Sequence, residues 1–318
     1  MPQYQAGQVR LESGVLYSST MQPVPRVSNV RIDYNVPRAN VGVLNRGKPL
    51  EGRPVINYTP VDASVEFYKS DSSIEQMLGL VNGTSVVSNI TETKAANATY
   101  GIRSMQVAFA PTSSTNYNGL YDLKSGVLTS YTLQGGVGDP VRGSFGLQFL
   151  DCSGSINTTT RDSSNTAANL VKPENVSLTG IQFTGYGLTG VTIQSFSFSL
   201  GFGRASVQQL GTKFPTERPL TDVNASFQCQ GWFEGINNSV TGLSQYDCGA
   251  PSVGVVGLTM QPSCGGGSPS TITMRNPYID SFSIDSQVGG FSTVAISLSL
   301  PIGPNPNETS DGSVVIFN

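Results

Sequence analysis

Residues 193–219 read IQSFSFSLGFGRASVQQLGTKFPTERP, and their opening decides the fold class. Phe196, Phe198, Leu200 and Phe202 alternate with Ser195, Ser197, Ser199 and Gly201. Side chains of a strand point to opposite faces in turn, so the alternation predicts a half-buried β-strand. Gly203, Arg204 and Ala205 break it, and a polar loop follows that ends on Arg218-Pro219. The same text occurs earlier. Residues 27–54 read VSNVRIDYNVPRANVGVLNRGKPLEGRP, with Val30, Ile32, Tyr34 and Val36 in the four apolar places. Arg38, Ala39, Val41 and Leu44 answer Arg204, Ala205, Val207 and Leu210, and Arg53-Pro54 answers Arg218-Pro219. The sequence carries its own alignment.

The repeat extends in both directions. Ser13-Gly14-Val15 matches Thr179-Gly180-Ile181, and the offset of 166 residues holds from there to Leu44 and Leu210. Residues 130–150, SYTLQGGVGDPVRGSFGLQFL, align without a gap on 281–301, SFSIDSQVGGFSTVAISLSLP, at an offset of 151. Each alternates on both sides of a Val-Gly turn and so predicts a closing hairpin. Between these ends, Val61, Ala63, Val65 and Phe67 mark a strand over 61–68, answered at 223–229. A short helix follows the first of these. Ser72 and Glu75 have capping-box spacing, and Ile74, Met77 and Leu78 make its apolar face. Its counterpart at 232–243 is a poorer helix, interrupted by Gly235 and Asn237-Asn238. Further strands are predicted at 104–109 and 126–133. The division that results is an arm (1–12), a first unit (13–152), a Ser/Thr/Asn-rich linker (153–177), a second unit (178–303) and a C-terminal arm (304–318). Val314–Phe317 is too apolar to leave in water and too short to fold alone, which predicts that it docks on a neighbouring subunit.

Composition narrows the function. Only 12% of the 318 residues are charged, about half the usual share, while Gly, Ser, Thr and Asn are abundant. That suits many short strands joined by tight turns and argues against a helical protein. A formal charge of -3 with no basic block argues against tight binding of nucleic-acid phosphates. Histidine is absent, which removes the commonest general base, the Ser-His-Asp arrangement and every His-ligated metal site. No two carboxylates pair as acid and base, and Gly265-Gly266-Gly267 lacks the strand and helix that a phosphate cradle needs. No enzyme activity and no cofactor or metal is expected. Cys152, Cys229, Cys248 and Cys264 share no CxxC spacing, so buried thiols are expected, with a single Cys248–Cys264 or Cys229–Cys248 bridge left open. The N-terminus, MPQYQAGQVRLES, holds no apolar h-region, and no segment is long enough to span a membrane. A protein made in a cytoplasm is expected.

An alternating strand, a long polar loop with a mid-loop Leu-Gly or Leu-Asn, then Arg-Pro and a second strand backed by a helix resembles the tail tube proteins of long-tailed phages. The resemblance is clearest at 191–233 and covers most of both units. It implies a mainly β fold of two tandem β-sandwich or half-barrel domains that close into a ring-shaped barrel on oligomerisation. It implies self-assembly, with a duplicated subunit forming trimeric rings of pseudo-sixfold symmetry stacked into a tube in the virion tail. The other implied partners are a tape measure protein, a sheath, a terminator and a baseplate, with viral DNA crossing the lumen without sequence-specific binding. The loops at 38–60 and 204–222 would then reach the adjacent ring.

Candidate contacts between subunits or rings are therefore Arg38, Val41, Leu44, Arg53, Arg204, Val207, Leu210, Arg218, Val315 and Phe317. For Arg38 and Arg204 a salt bridge across the interface competes with a local hydrogen bond to backbone. Trp232, the only tryptophan, reads as core. Two other functions stay open: a distal adaptor or tube terminator built on the same domain, and a carbohydrate-binding adhesin of two β-sandwiches.

Overall fold

A computed structural model of the chain describes residues 4–13, 21–34, 41–45, 48–52, 60–81, 102–111, 116–117, 119–155, 159–160, 170–181, 188–211, 214–215, 217–236, 254–262, 269–286, 292–302 and 314–318. The first half holds β1 (Tyr4–Ser13), β2 (Gln22–Pro23), β3 (Val27–Tyr34), β4 (Val41–Asn45), β5 (Lys48–Gly52), β6 (Val61–Tyr68) and the helix α1 (Ser73–Met77). It continues with β7 (Ile102–Pro111), β8 (Asn116–Tyr117), β9 (Gly119–Gly136), β10 (Asp139–Phe149), β11 (Asp151–Ser155) and β12 (Thr159–Thr160). The second half opens with β13 (Val176–Thr179), β14 (Leu188–Thr189), β15 (Thr192–Arg204), β16 (Leu220–Trp232) and β17 (Gly235–Ile236). It ends with β18 (Val255–Met260), β19 (Ser270–Arg275), β20 (Tyr278–Asp285), β21 (Thr293–Ile302) and β22 (Val314–Phe317). The protein is mainly β, as its composition required.

Eight strands form one antiparallel sheet in the order β3-β6-β10-β9-β15-β16-β21-β20. The first four come from one half of the chain and the last four from the other, and the order within each run is the same. Registers agree too. Phe145 lies between Val65 and Tyr131, as Ile296 lies between Cys229 and Phe282. A bulge skips Thr129 in β9, and another skips Asp280 in β20, 151 residues later. The sheet passes through both predicted units without a break, because β9 pairs β15 along seven residues. None of the sheets closes into a barrel.

A second layer covers the apolar face. Behind the first run it is β2-β1-β7, the N-terminal half of β9, and β11; behind the second it is β13-β18-β19-β22. β9 serves both layers, pairing β7 and β11 up to Gly126 and β10 and β15 beyond it. The crossing needs a bare backbone. Ser125 has φ 55°, and a Cβ on Gly126 would stand 2.4 Å from the Phe149 ring. In the second half the same path is split between β19 and β20. Asn276 has φ 55° at the corner, and Pro277 follows it without a backbone N–H to donate.

Alternation sets the core. Val61, Ala63, Val65 and Phe67 on β6, Phe198 and Leu200 on β15, and Val294, Ile296, Leu298 and Leu300 on β21 belong to a single buried cluster. Each fully buried Val, Leu, Ile or Phe contributes about 1.5–3 kcal/mol of transfer free energy, so the sandwich layers carry the stability.

Three sequence expectations change. The helix α1 forms, with Ile74, Met77 and Leu78 buried, but not through a capping box. Asp71 Oδ1 accepts from the Ser73 backbone N at 3.0 Å, while Glu75 turns inward. A carboxylate is needed there because Lys69 is buried beside it. At 232–243, the described part is strand: Trp232 ends β16, half-buried, and β17 follows. Last, β22 does not reach for a neighbour. It pairs β19 of its own chain, with Val315 and Phe317 fully buried. It occupies the register that β11 holds on β9, since Val314 faces Arg275 as Asp151 faces Lys124. An apolar strand whose Val315 and Phe317 already fill its own sandwich has no apolar face left over for a neighbour.

Candidate functional site

The eight-stranded sheet has a wet face. Glu66, Ser144, Thr132, Ser199, Ser226 and Ser299 form one row straight across six strands. Hydroxyls in it bond to each other: Thr132 with Ser144 and Ser199 with Ser226, each at 2.7 Å. Ser299 donates to Asp280 Oδ1 at 2.7 Å, so the bulge residue also faces this side. Small hydroxyls suit the position because they satisfy one another along the ladder and leave a low, even surface.

Among the described residues, the charges on this face are mostly negative. Asp33, Asp62, Glu66, Asp222, Asp280 and Asp285 stand against Arg31 and Arg142. Arg31 pairs with Ser64 across the strands, which puts it on the wet face, and its Nε lies 2.7 Å from Asp33 Oδ2. Arg142 lies over the Tyr68 ring, 5.4 Å from its centre, with Asp139 3.9 Å from its guanidinium. Both cations are thus partly neutralised by their neighbours.

The junction between the two runs is held from behind by two arginines. Arg218 is fully buried, donating from NH1 to the Gln148 carbonyl at 3.1 Å and from NH2 to the Ser125 carbonyl at 2.6 Å. Arg204 donates from Nε to the Leu128 carbonyl at 3.4 Å and from NH1 to the Arg218 carbonyl at 3.0 Å. Those acceptors lie where β9 changes layers and its ladder is interrupted, so the guanidinium forks replace missing backbone donors. Burial, and then the charge of Arg218, lowers the Arg204 pKa to about 10, which still leaves it charged at neutral pH.

This geometry sorts the sequence candidates. Arg204 and Arg218 bond within the chain, so the salt bridge across an interface gives way to the local backbone bonds weighed against it. Val315 and Phe317 are core. Val41 and Leu44 lie on the β4–β5 hairpin, and Arg38 and Arg53 fall outside the described residues. Val207 bridges Glu217 and is 44% exposed, and Leu210 at the loop's tip is fully exposed. Among the candidates whose side chains are described, these last two are the exposed ones. Cys152 and Cys229 are free thiols, which leaves the Cys229–Cys248 bridge unformed; Cys248 and Cys264 lie outside the described residues.

One cluster went unseen in the sequence. Lys69, Glu75 and Tyr131 are all fully buried, with Lys69 Nζ 2.6 Å from Glu75 Oε1 and the Tyr131 hydroxyl donating to the same oxygen. Burial and then the Glu75 charge hold the Tyr131 phenol well above its ordinary pKa. Lys69 also donates to the Asp71 carbonyl at 2.7 Å, so the group fastens α1 to the sheet. Its one sequence signal was a lysine ending an apolar strand six residues before a glutamate.

Among the described residues, no three His, Cys, Asp or Glu side chains are placed to hold a metal ion. No helix there is long and apolar enough to cross a membrane. Compared with known protein families and with curated proteins, the chain matches none.

Proposed function

We propose that this chain is a structural virion protein, the major subunit of a phage tail tube, whose stacked rings make the channel for genome delivery. One observation carries the reading. Two four-strand runs of the same order and register lie in one sheet that is wet and carboxylate-biased on one face, apolar on the other and, among the described residues, open at both ends. Such a sheet loses its unpaired edges by continuing into further copies until it closes. Three chains contribute six runs, which accounts for pseudo-sixfold symmetry, and the wet face becomes the inner wall. Duplex DNA carries a negative charge about every 1.7 Å, so a wall with more carboxylates than cations lets it slide without being held. The exposed loop bearing Val207 and Leu210 meets the next ring. No step in this role calls for a catalytic group or a cofactor.

Negative-stain electron microscopy of the purified protein, with its mass from light scattering, tests the reading. Rings or hollow tubes built on trimers are expected. A lasting monomer that is also missing from purified virions overturns it. Copy number in virions separates a tube subunit, present many times, from an adaptor or terminator confined to one ring.

A further inference from the structure

The internal junction is a template for a contact that the described chain leaves unmade. In the first run β3 holds the place that β15 holds in the second, and β20 holds the place of β9. The registers that establish this run unbroken through the sheet. Val30 faces Val65 as Phe196 faces Cys229, and Phe145 faces Tyr131 as Ile296 faces Phe282. β9 and β15 are paired, whereas among the described residues β3 and β20 end the sheet at its two edges. We infer that the partner of the β3 edge is β20 of a second copy of this chain, joined head to tail in the β9–β15 register. The inference rests on the assembling-subunit reading above and adds which strands meet, in what register, and what they bury.

The register follows from the internal pairs. Phe198 faces Leu133, Leu200 faces Tyr131, and Ser197 faces Gln134. Carried to the edges, Ile32 meets Ile284, Tyr34 meets Phe282, and Arg31 meets Asp285. Every side chain in the transfer finds a fitting partner: apolar on the core face, and opposite charges on the wet face. A slip by one residue would turn Tyr34 and Ile284 to the wrong sides, so the pattern specifies this register and its neighbours poorly.

Exposure supports the transfer. Phe198, Leu200, Tyr131 and Leu133 are fully buried at the junction, while Tyr34 is 62% exposed and Ile284 44% exposed. Beside β3 a cavity of about 490 Å³ opens among Val30, Ile32, Tyr34, Phe109, Tyr121 and Cys152. At the corresponding place in the second run stands Phe317, edge-on to both Tyr131 and Phe198. Cys152 and Gly154 hold the register positions of Val315 and Phe317, and they are smaller. The first run therefore lacks the apolar volume that the second supplies for itself, and the exposed Ile284 of another copy adds to it. Because the two edges differ, the contact is head to tail, and repetition generates a ring or an open filament.

The test is register-specific disulfide trapping. The double variant Asp33→Cys, Ser283→Cys places two thiols directly opposite each other in the proposed pairing, with Cα atoms within bridging reach. Both positions are exposed and on the wet face, so the fold is not at stake. Asp33→Cys with Ser281→Cys is the off-register control, and each single variant reports the native cysteines' background. On mild oxidation the in-register pair should give a ladder of covalent multimers, at least tenfold more than the control. Equal or stronger linking by the control overturns the register. Assemblies seen by light scattering with neither pair linked overturn the edge pairing while leaving the assembling-subunit reading intact. No species above the monomer from the parent chain, at any concentration tried, overturns the edge pairing, and absence from purified virions as well overturns the assembling-subunit reading with it. In a lysate of producing cells, an adduct at the Asp33→Cys position to a different protein gives the edge another occupant and overturns the inference.

Discussion

The β9–β15 junction and the two free edges are built from the same pattern, yet they end in opposite environments. Phe198 and Ile32 hold equivalent places, as do Leu133 and Ile284, by the registers of their sheets. Phe198 and Leu133 are fully buried, whereas Ile32 is half-buried and Ile284 is 44% exposed. Alternation tells a strand which face is apolar, but only a partner strand determines whether that face is dry. At the junction the partner is on the same chain. At the edges no partner strand stands among the described residues, and Tyr34 and Ile284 there stay exposed.

Matched truncations break or keep this comparison. Phe198→Ala should cost about 3–5 kcal/mol of stability, because the ring packs against Phe317 inside the closed core. Ile32→Ala, at the equivalent edge position, should cost the monomer only about 1 kcal/mol, yet it should abolish or strongly weaken assembly. Denaturant unfolding of the monomer and light scattering of the assembly read the two effects separately. An Ile32→Ala chain that unfolds as easily as Phe198→Ala would mean that the edge is already part of a finished core. Removal of residues 311–318 belongs with the junction: it deletes Val315 and Phe317 and should unfold the second sandwich rather than merely impair docking.

The next effect concerns the clamp. Arg218→Met keeps the volume but leaves the Ser125 and Gln148 carbonyls without their donor. About 1–3 kcal/mol for each of the two stranded acceptors gives a loss of about 2–6 kcal/mol. Amide exchange should accelerate first along β9 and β15, whose junction the arginine backs. Exchange that instead accelerates evenly over the chain would deny the clamp a local role.

How much of this was legible beforehand depended on the range of the interaction. The strands around Val61–Tyr68, the two hairpins and the repeat were visible because alternation and turn residues are local signals. The fate of Arg204 and Arg218 was not, since three of their four carbonyl acceptors lie 70 or more residues away at a corner whose position only the sheet fixes. The Lys69–Glu75–Tyr131 cluster was hidden for the same reason: Glu75 satisfied a local capping rule in the text, and the partner that overrode it comes from β9. The C-terminal strand was misplaced because an apolar segment announces that it will be buried but not by whom. Its own β19 had an open side, and the short arm reaches it.

The smallest effect is the most specific. Arg31 and Asp285 face each other in the proposed contact between copies, and each lies on a wet, exposed face. A directly opposed pair of opposite charges is worth roughly 0.2–1 kcal/mol, and like charges cost a similar amount. Exchanging that attraction for a repulsion shifts the pair by about 0.4–2 kcal/mol, so Arg31→Asp should raise the concentration for assembly about two- to thirtyfold, and Asp285→Arg should do the same. The double exchange should recover much of the loss, and the recovery should shrink as salt screens the pair over a Debye length of about 10 Å at 0.1 M. The monomer's unfolding should hardly change in any of the three, because neither side chain is buried. Recovery in the double variant would place these two residues opposite each other across copies, which no single truncation could do; additive losses would put them on separate surfaces and leave the edges without their register.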